Sequence, residues 1–236
     1  MTHKTKVSDT FWQTAAFRRS GILLVLLMLS FVGIADMEKM LATMQRYGGS
    51  ASLFHDWRQL IDHSRTLGTQ DKLRRINEFF NRRIQSTDDI NIWGQTEYWA
   101  TPIETLAKGK GDCEDFTIAK YFALREAGIS NEQLRLIYVK AKIGGPHSTV
   151  TQAHMVLAYN PEPDAEPLIL DNLITAIRPA SRRPDLQPVF SFNSQGIWAA
   201  EATGGHTASS VPGAGIGRLT RWQELLGRVK AEGLDF

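Results

Sequence analysis

The sequence predicts an α+β fold. Two observations carry that prediction. Apolar residues recur at helical spacing in several stretches between residues 37 and 128, and strand-like runs follow from residue 134 to residue 200. Helices first and strands afterwards, with turns between the strands, describe helices segregated against an antiparallel sheet.

Residues 37–66 read as helix in two pieces, broken at Gly48-Gly49-Ser50, with Leu53, Trp57, Leu60 and Ile61 forming the apolar stripe of the second piece. Residues 71–84 form another helix that turns Leu73, Ile76, Phe79 and Phe80 inward and leaves Arg74, Arg75, Arg82 and Arg83 as a solvated face. The aromatic-rich stretch 86–102 reads as a loop. Thr101-Pro102-Ile103-Glu104 is a capping box with proline at the first helical position, and the short helix it opens is stopped by Gly109 and Gly111. GDCEDFTIAKYFALREAG (111–128) is the clearest helix, with Asp112 as N-cap and Gly128 as C-terminal stop.

Strands are expected at 134–143, 152–159, 167–172, 188–193 and 196–200. Pairing the second and third in a register that sets Met155 against Leu170 and Leu157 against Leu168 leaves Asn160–Glu166 as the turn, rich in proline and aspartate. Residues 201–217 read as a Gly/Ser/Thr/Ala linker, and 218–236 carry a terminal amphipathic helix with Leu219, Trp222, Leu225, Leu226 and Val229 on one face.

Ahead of all this, residues 1–20 are polar and basic and 21–35 (GILLVLLMLSFVGIA) are uncharged. Fifteen apolar or small residues fall short of the roughly 20 a membrane span needs, so 1–35 reads as a secretory signal peptide with Gly33 and Ala35 before the cut or, left uncut, as a signal anchor. Removing it takes away Lys4, Lys6, Arg18, Arg19 and Asp9, leaving 23 basic and 24 acidic residues in place of 27 and 25. That balance offers no basic field for nucleic acid, so no nucleic-acid partner is expected. The one cysteine excludes an intramolecular disulfide and a multi-cysteine metal cluster.

That cysteine, Cys113, stands at the start of the 111–128 helix, where backbone N–H groups and the helix dipole favour a thiolate. The strand register above places His154 directly across from Asp171, so the carboxylate accepts the imidazole Nδ1–H and leaves Nε2 to take the thiol proton. His147 lies in a Gly-Gly-Pro segment that positions it poorly, and His55, His63 and His206 lack such an acidic neighbour. Asp112, Glu114 and Asp115 surround the cysteine and oppose thiolate formation by like-charge repulsion. A hard cation on Asp112 and Glu114 relieves this. Oxygen-only ligands point to Ca²⁺, with Asp88, Asp89 and Glu97 as further candidates. The Cys113 amide is the natural oxyanion donor. Trp93, Tyr98 and Trp99 are expected to pack rather than to line a groove.

The stretch WGQTEYWATPIETLAKGKGDCEDFTIAKYFALREAG, followed by QAHMVLAY, LILDN and PVFSFN, resembles the bacterial transglutaminase-like cysteine proteinases, over roughly residues 55–200. The resemblance is strongest to their periplasmic, adhesin-releasing members. It implies a papain-like, transglutaminase-type fold over the domain 36–200, a Cys113–His154–Asp171 triad, and Ca²⁺ dependence with Asp112 and Glu114 at the matching acidic positions. It further implies a periplasmic enzyme that clips the N-terminal region of a large surface adhesin, typically at a paired-alanine site. Release would disperse a biofilm, and the periplasmic domain of an inner-membrane receptor sensing cyclic di-GMP would hold the enzyme inactive. The segment GGPHSTVT (144–151) is longer than the family pattern leads one to expect. The residues themselves leave two other readings open: a transglutaminase passing the same acyl-enzyme to an amine, and a peptide-binding module without catalysis.

Overall fold

Thr101 and Asp112 open two consecutive helices by the same device. Thr101 accepts the Glu104 N–H while the Glu104 carboxylate takes the Thr101 N–H, and Asp112 and Asp115 repeat the exchange eleven residues on. In the computed structural model, which describes residues 36–145, 148–199 and 214–234, these caps start α5 (Pro102–Lys108) and α6 (Cys113–Glu126). They are preceded by α1 (36–46), α2 (Ala51–Ser64), α3 (Thr69–Arg83) and the short α4 (Asp89–Trp93). The leader 1–35, His147, His206 and most of the linker expected at 201–217 lie outside the described residues. The helix α4 falls inside the stretch expected to be loop; Gly94, with φ 67°, stops it after five residues.

Two two-residue strands, β1 (Gln85–Ser86) and β2 (Lys110–Gly111), pair in parallel and tie the end of α3 to the approach to Cys113. The main sheet has six strands in the order β6-β5-β4-β3-β7-β8: β3 (Leu134–Lys142), β4 (Thr151–Tyr159), β5 (Leu168–Leu170), β6 (Arg178–Pro179), β7 (Leu186–Asn193) and β8 (Gly196–Ala199). Every pairing within this six-stranded sheet is antiparallel, as expected.

One face of the sheet packs α6. Leu134, Leu136, Met155, Leu157, Leu170, Phe190 and Phe192 join Phe116, Ile118, Ala119, Tyr121, Phe122 and Leu124 in the main core. The helix is buried nearly all round because α3 and α5 cover its other sides, which accounts for its weak amphipathic stripe. The opposite face holds a smaller cluster of Val139, Ala141, Val156, Ala158 and Ile169. The C-terminal helix α7 (Ala214–Ala231) docks on the main core through buried Trp222, Leu225 and Val229, and the Trp222 indole N–H bonds the Asn193 carbonyl at 3.1 Å.

The register of β4 and β5 differs from the expected one by two residues. Leu157 faces Leu170, Ala158 faces Ile169 and Tyr159 faces Leu168, and β5 is only three residues long. The strand begins at Leu168, one residue later than expected, and Pro167 gives its carbonyl to the Ala180 N–H at 3.0 Å. Because side chains alternate with period two, the two-residue slip in register keeps every residue on its expected face.

Candidate active site

The short β5 leaves the N-terminal half of β4 with an open edge, and the tip of α6 fills it. The Met155 N–H reaches the Cys113 sulfur, and the Met155 carbonyl accepts from the Thr117 hydroxyl at 3.0 Å. Cys113 and Thr117 are four residues apart and share one helix face, so both backbone groups of Met155 are satisfied by one turn of helix. His154 is the neighbour of Met155 on that strand. It lies on the face of Val156 and Ala158 and is 4 % exposed.

His154 Nε2 meets Asp171 Oδ1 at 2.8 Å. The two residues come together as the sequence predicted, but by a different geometry. The register places Asp171 opposite Val156, so the pair is diagonal rather than direct. A diagonal pair needs the longer reach of the distal ring nitrogen. The expectation that Nδ1 would face the carboxylate is therefore corrected: Nε2 does, and Nδ1 is the nitrogen left to exchange a proton.

Asp171 follows the last residue of β5 and is 1 % exposed. Its Oδ1 also accepts the Leu173 N–H at 3.0 Å, its Oδ2 accepts from Arg183 Nη2 at 2.7 Å, and its carbonyl accepts from Asn81 Nδ2 of α3 at 2.8 Å. Burial alone would raise its pKa. The His154 hydrogen bond and charge, the Leu173 N–H and Arg183 outweigh that and bring it down to about 2. Lys120, buried two helical turns from Cys113, is lowered to about 7 by desolvation, against the pull of Asp171.

Around the sulfur the electrostatics run the other way. The thiol donates to Glu114 Oε2 at 2.7 Å, and burial, then the charges of Glu114 and Asp112, push its pKa well up despite the Met155 N–H. The helix start alone therefore does not favour the thiolate here. Asp112 is raised to about 9, first by burial and then by Glu114, Asp115 and Asp89, and Asp115 and Asp89 are raised for the same leading reason.

Oxygens of Asp89, Asp112 and Asp115 converge within 4.8 Å of one another, and Asp112, Cys113 and Glu114 form a second such group. Backbone N–H groups hold these carboxylates in place: Tyr98 on Asp89, Ala100 on Asp115, and Glu114 and Asp115 on Asp112. Asp89 Oδ1 is buried without a hydrogen-bond partner, and the converging set of carboxylate oxygens suits a hard cation such as Ca²⁺. Of the candidates from the sequence, Asp112, Glu114 and Asp89 lie at this cluster. Asp88 is exposed, and Glu97 pairs with Arg221 at 2.9 Å. In the sequence Asp115 stands beside the cysteine without being marked as a candidate for the cation. Its signal was the neighbouring Gly111: a Cβ there would sit 2.7 Å from Asp115 Cβ, so the chain is bare where that carboxylate must pass.

The aromatic loop packs, as expected. Trp99 is buried and stacks on Phe192, and Tyr98 donates to Glu104 at 2.8 Å. From α7, Arg228 reaches Tyr98 Oη, Glu104 Oε2 and the Trp99 carbonyl, each at 2.6 Å.

The model of the family described as bacterial transglutaminase-like cysteine proteinase matches residues 57–185. Comparison with curated proteins returns no match. Among solved structures, calcium-bound Legionella pneumophila LapG is similar at 39% identity and a TM-score of 0.66, covering 82% of this chain and 98% of that one. EGTA-treated LapG of the same organism aligns at 38% identity and a TM-score of 0.66, covering 81% of this chain and 96% of that one. The fold, the match over more than half the chain and this identity over most of its length place the protein among the bacterial transglutaminase-like cysteine proteinases, and it is a LapG-type cysteine protease.

Proposed function

We propose that the protein is a calcium-dependent periplasmic endopeptidase with Cys113 as nucleophile, His154 as general base and acid, and Asp171 as the residue that orients the imidazole. The observation that carries this reading is the buried His154–Asp171 pair beside a sulfur seated on Met155 of the same strand. His154 Nδ1 takes the thiol proton, and the thiolate attacks the scissile carbonyl. The oxyanion is met by the Cys113 N–H at the helix start. His154 then returns the proton to the leaving amine, and water resolves the thioester. The Nε2–H bond to Asp171 keeps the ring in the tautomer that leaves Nδ1 unprotonated and stabilises the imidazolium once it forms.

Asp89, Asp112 and Asp115, with Glu114 at their border, would hold Ca²⁺. The ion would supply positive charge where these carboxylates otherwise oppose the thiolate. The calcium-bound and EGTA-treated states of LapG support the assignment. The substrate is the N-terminal region of a large surface adhesin, whose release disperses a biofilm. Control comes from the periplasmic domain of an inner-membrane receptor for cyclic di-GMP. The leader 1–35 delivers the enzyme to that compartment.

The test incubates purified 36–236 with N-terminal adhesin fragments in Ca²⁺ and in chelator and maps products by mass spectrometry. A single cut that needs Ca²⁺ and is absent in Cys113→Ala is expected. Incorporation of a labelled amine without cleavage would replace the endopeptidase reading with acyl transfer.

A further inference from the structure

We propose that Arg183 is a positioning residue of this active site, holding the plane of the Asp171 carboxylate so that Oδ1 faces His154. The proposal rests on the reading of Cys113, His154 and Asp171 given above. Asp171 needs such a support because of its place in the chain. It is the first residue beyond β5, and the segment from Asp171 to Ile177 has no helix or strand to fix its side chains. One oxygen, Oδ1, is shared between His154 and the Leu173 N–H. The other, Oδ2, meets Arg183 Nη2 at 2.7 Å.

Arg183 comes from a different stretch of chain and is itself held. The short 3₁₀ turn Ala180–Arg182 delivers it, and its N–H bonds the Ala180 carbonyl at 2.9 Å. Asp185 also holds the guanidinium, at 3.0 Å to Nε and 2.7 Å to the same Nη2 that meets Asp171, while the Asp185 carbonyl accepts the Lys142 N–H at the end of β3. The side chains of Arg183 and Asp171 are 2 % and 0 % exposed, so water does not screen the pair or replace it. A chain of contacts thus runs from β3 through Asp185, Arg183 and Asp171 to the imidazole. Arg rather than Lys suits the task, because a planar fork can serve Asp185 and Asp171 together. Lys120 adds positive charge near Asp171 from α6 but makes no hydrogen bond to it that would set the carboxylate plane.

The experiment compares Arg183→Met, Arg183→Lys and Asp185→Asn with wild type in Ca²⁺. It measures kcat and KM on an adhesin fragment carrying the paired-alanine site, together with the NMR resonance of the His154 Nε2 proton. For folded Arg183→Met the expectation is a fall in kcat of about 10–100-fold with KM nearly unchanged and a displaced or broadened Nε2 proton, partly restored in Arg183→Lys. A folded Arg183→Met with wild-type kcat and an unmoved resonance overturns the proposal. If Arg183→Met does not fold, Asp185→Asn decides. A lowered kcat with a moved resonance supports the clamp, and wild-type values of both overturn it. Cys113→Ala, assayed alongside, separates the two levels: residual cleavage there defeats the triad itself, whereas an inert Cys113→Ala beside an unimpaired Arg183→Met defeats only the clamp.

Discussion

At the scale of single residues the site is a contest between two carboxylate environments. Asp171 is surrounded by donors, which bring its pKa down; Asp112, Asp115 and Asp89 are buried beside other carboxylates, which push theirs up. Replacing Asp171 with Asn leaves the shape but supplies an amide that does not stabilise the imidazolium. We expect kcat to fall about 10²–10⁴-fold with KM little changed, measured on the adhesin fragment. The lowered pKa of Asp171 also adds stability that is present above the ordinary aspartate range and lost as pH falls through about 2. The melting-temperature gap between wild type and Asp171→Asn should therefore narrow toward pH 2. The meeting of His154 with Asp171 and the place of Cys113 at a helix start were legible in the sequence, because a cap and two strand-like runs announce where each lies. The identity of the ring nitrogen was not, since it depends on a two-residue register shift that an alternation of period two does not mark. Arg183 was invisible for another reason: an arginine twelve residues from its partner, on an irregular segment, belongs to no periodic pattern.

At the scale of elements, the start of α6 combines a cap, a nucleophile and an acidic cluster in four residues. A carboxyl group whose folded pKa is raised contributes stability below its unfolded pKa and loses it as pH climbs toward the folded value. For Asp112 that window runs from the usual aspartate range up to about 9. In chelator, then, the melting temperature should drop between pH 5 and pH 9, by about 4 °C or more, and saturating Ca²⁺ should flatten or reverse the trend. A pH-independent melting temperature in chelator would mean that these carboxylates do not repel as described. The helices and most strand limits were readable from periodicity and caps, and Thr101–Glu104 formed the box its spelling implied. Helix α4 was not, because five residues between Asp88 and Gly94 are too few to display a period.

At the scale of the whole molecule, the chain's last helix stabilises its central loop. Arg228 compensates Glu104, which is 1 % exposed, and pins Tyr98 and Trp99, whose loop also carries the N–H groups that hold Asp89 and Asp115. Arg228→Met should cost about 2–3 kcal/mol in urea unfolding, since it strands a buried carboxylate, and adding Glu104→Gln should recover part of the loss. An additive double mutant would show that the pair is not coupled. Sequence patterning marked α7 as amphipathic and docked, but no local signal could show which loop it would hold across some 130 intervening positions. Where α7 ends, Gly233 rests against Asp36; a Cβ there would lie 2.9 Å from the Asp36 carbonyl oxygen. The two ends of the described residues thus touch. A short bridge could splice them and fresh ends could be opened in the exposed turn at 161–164, giving a circular permutant of residues 36–234 that keeps α6 packed on the sheet.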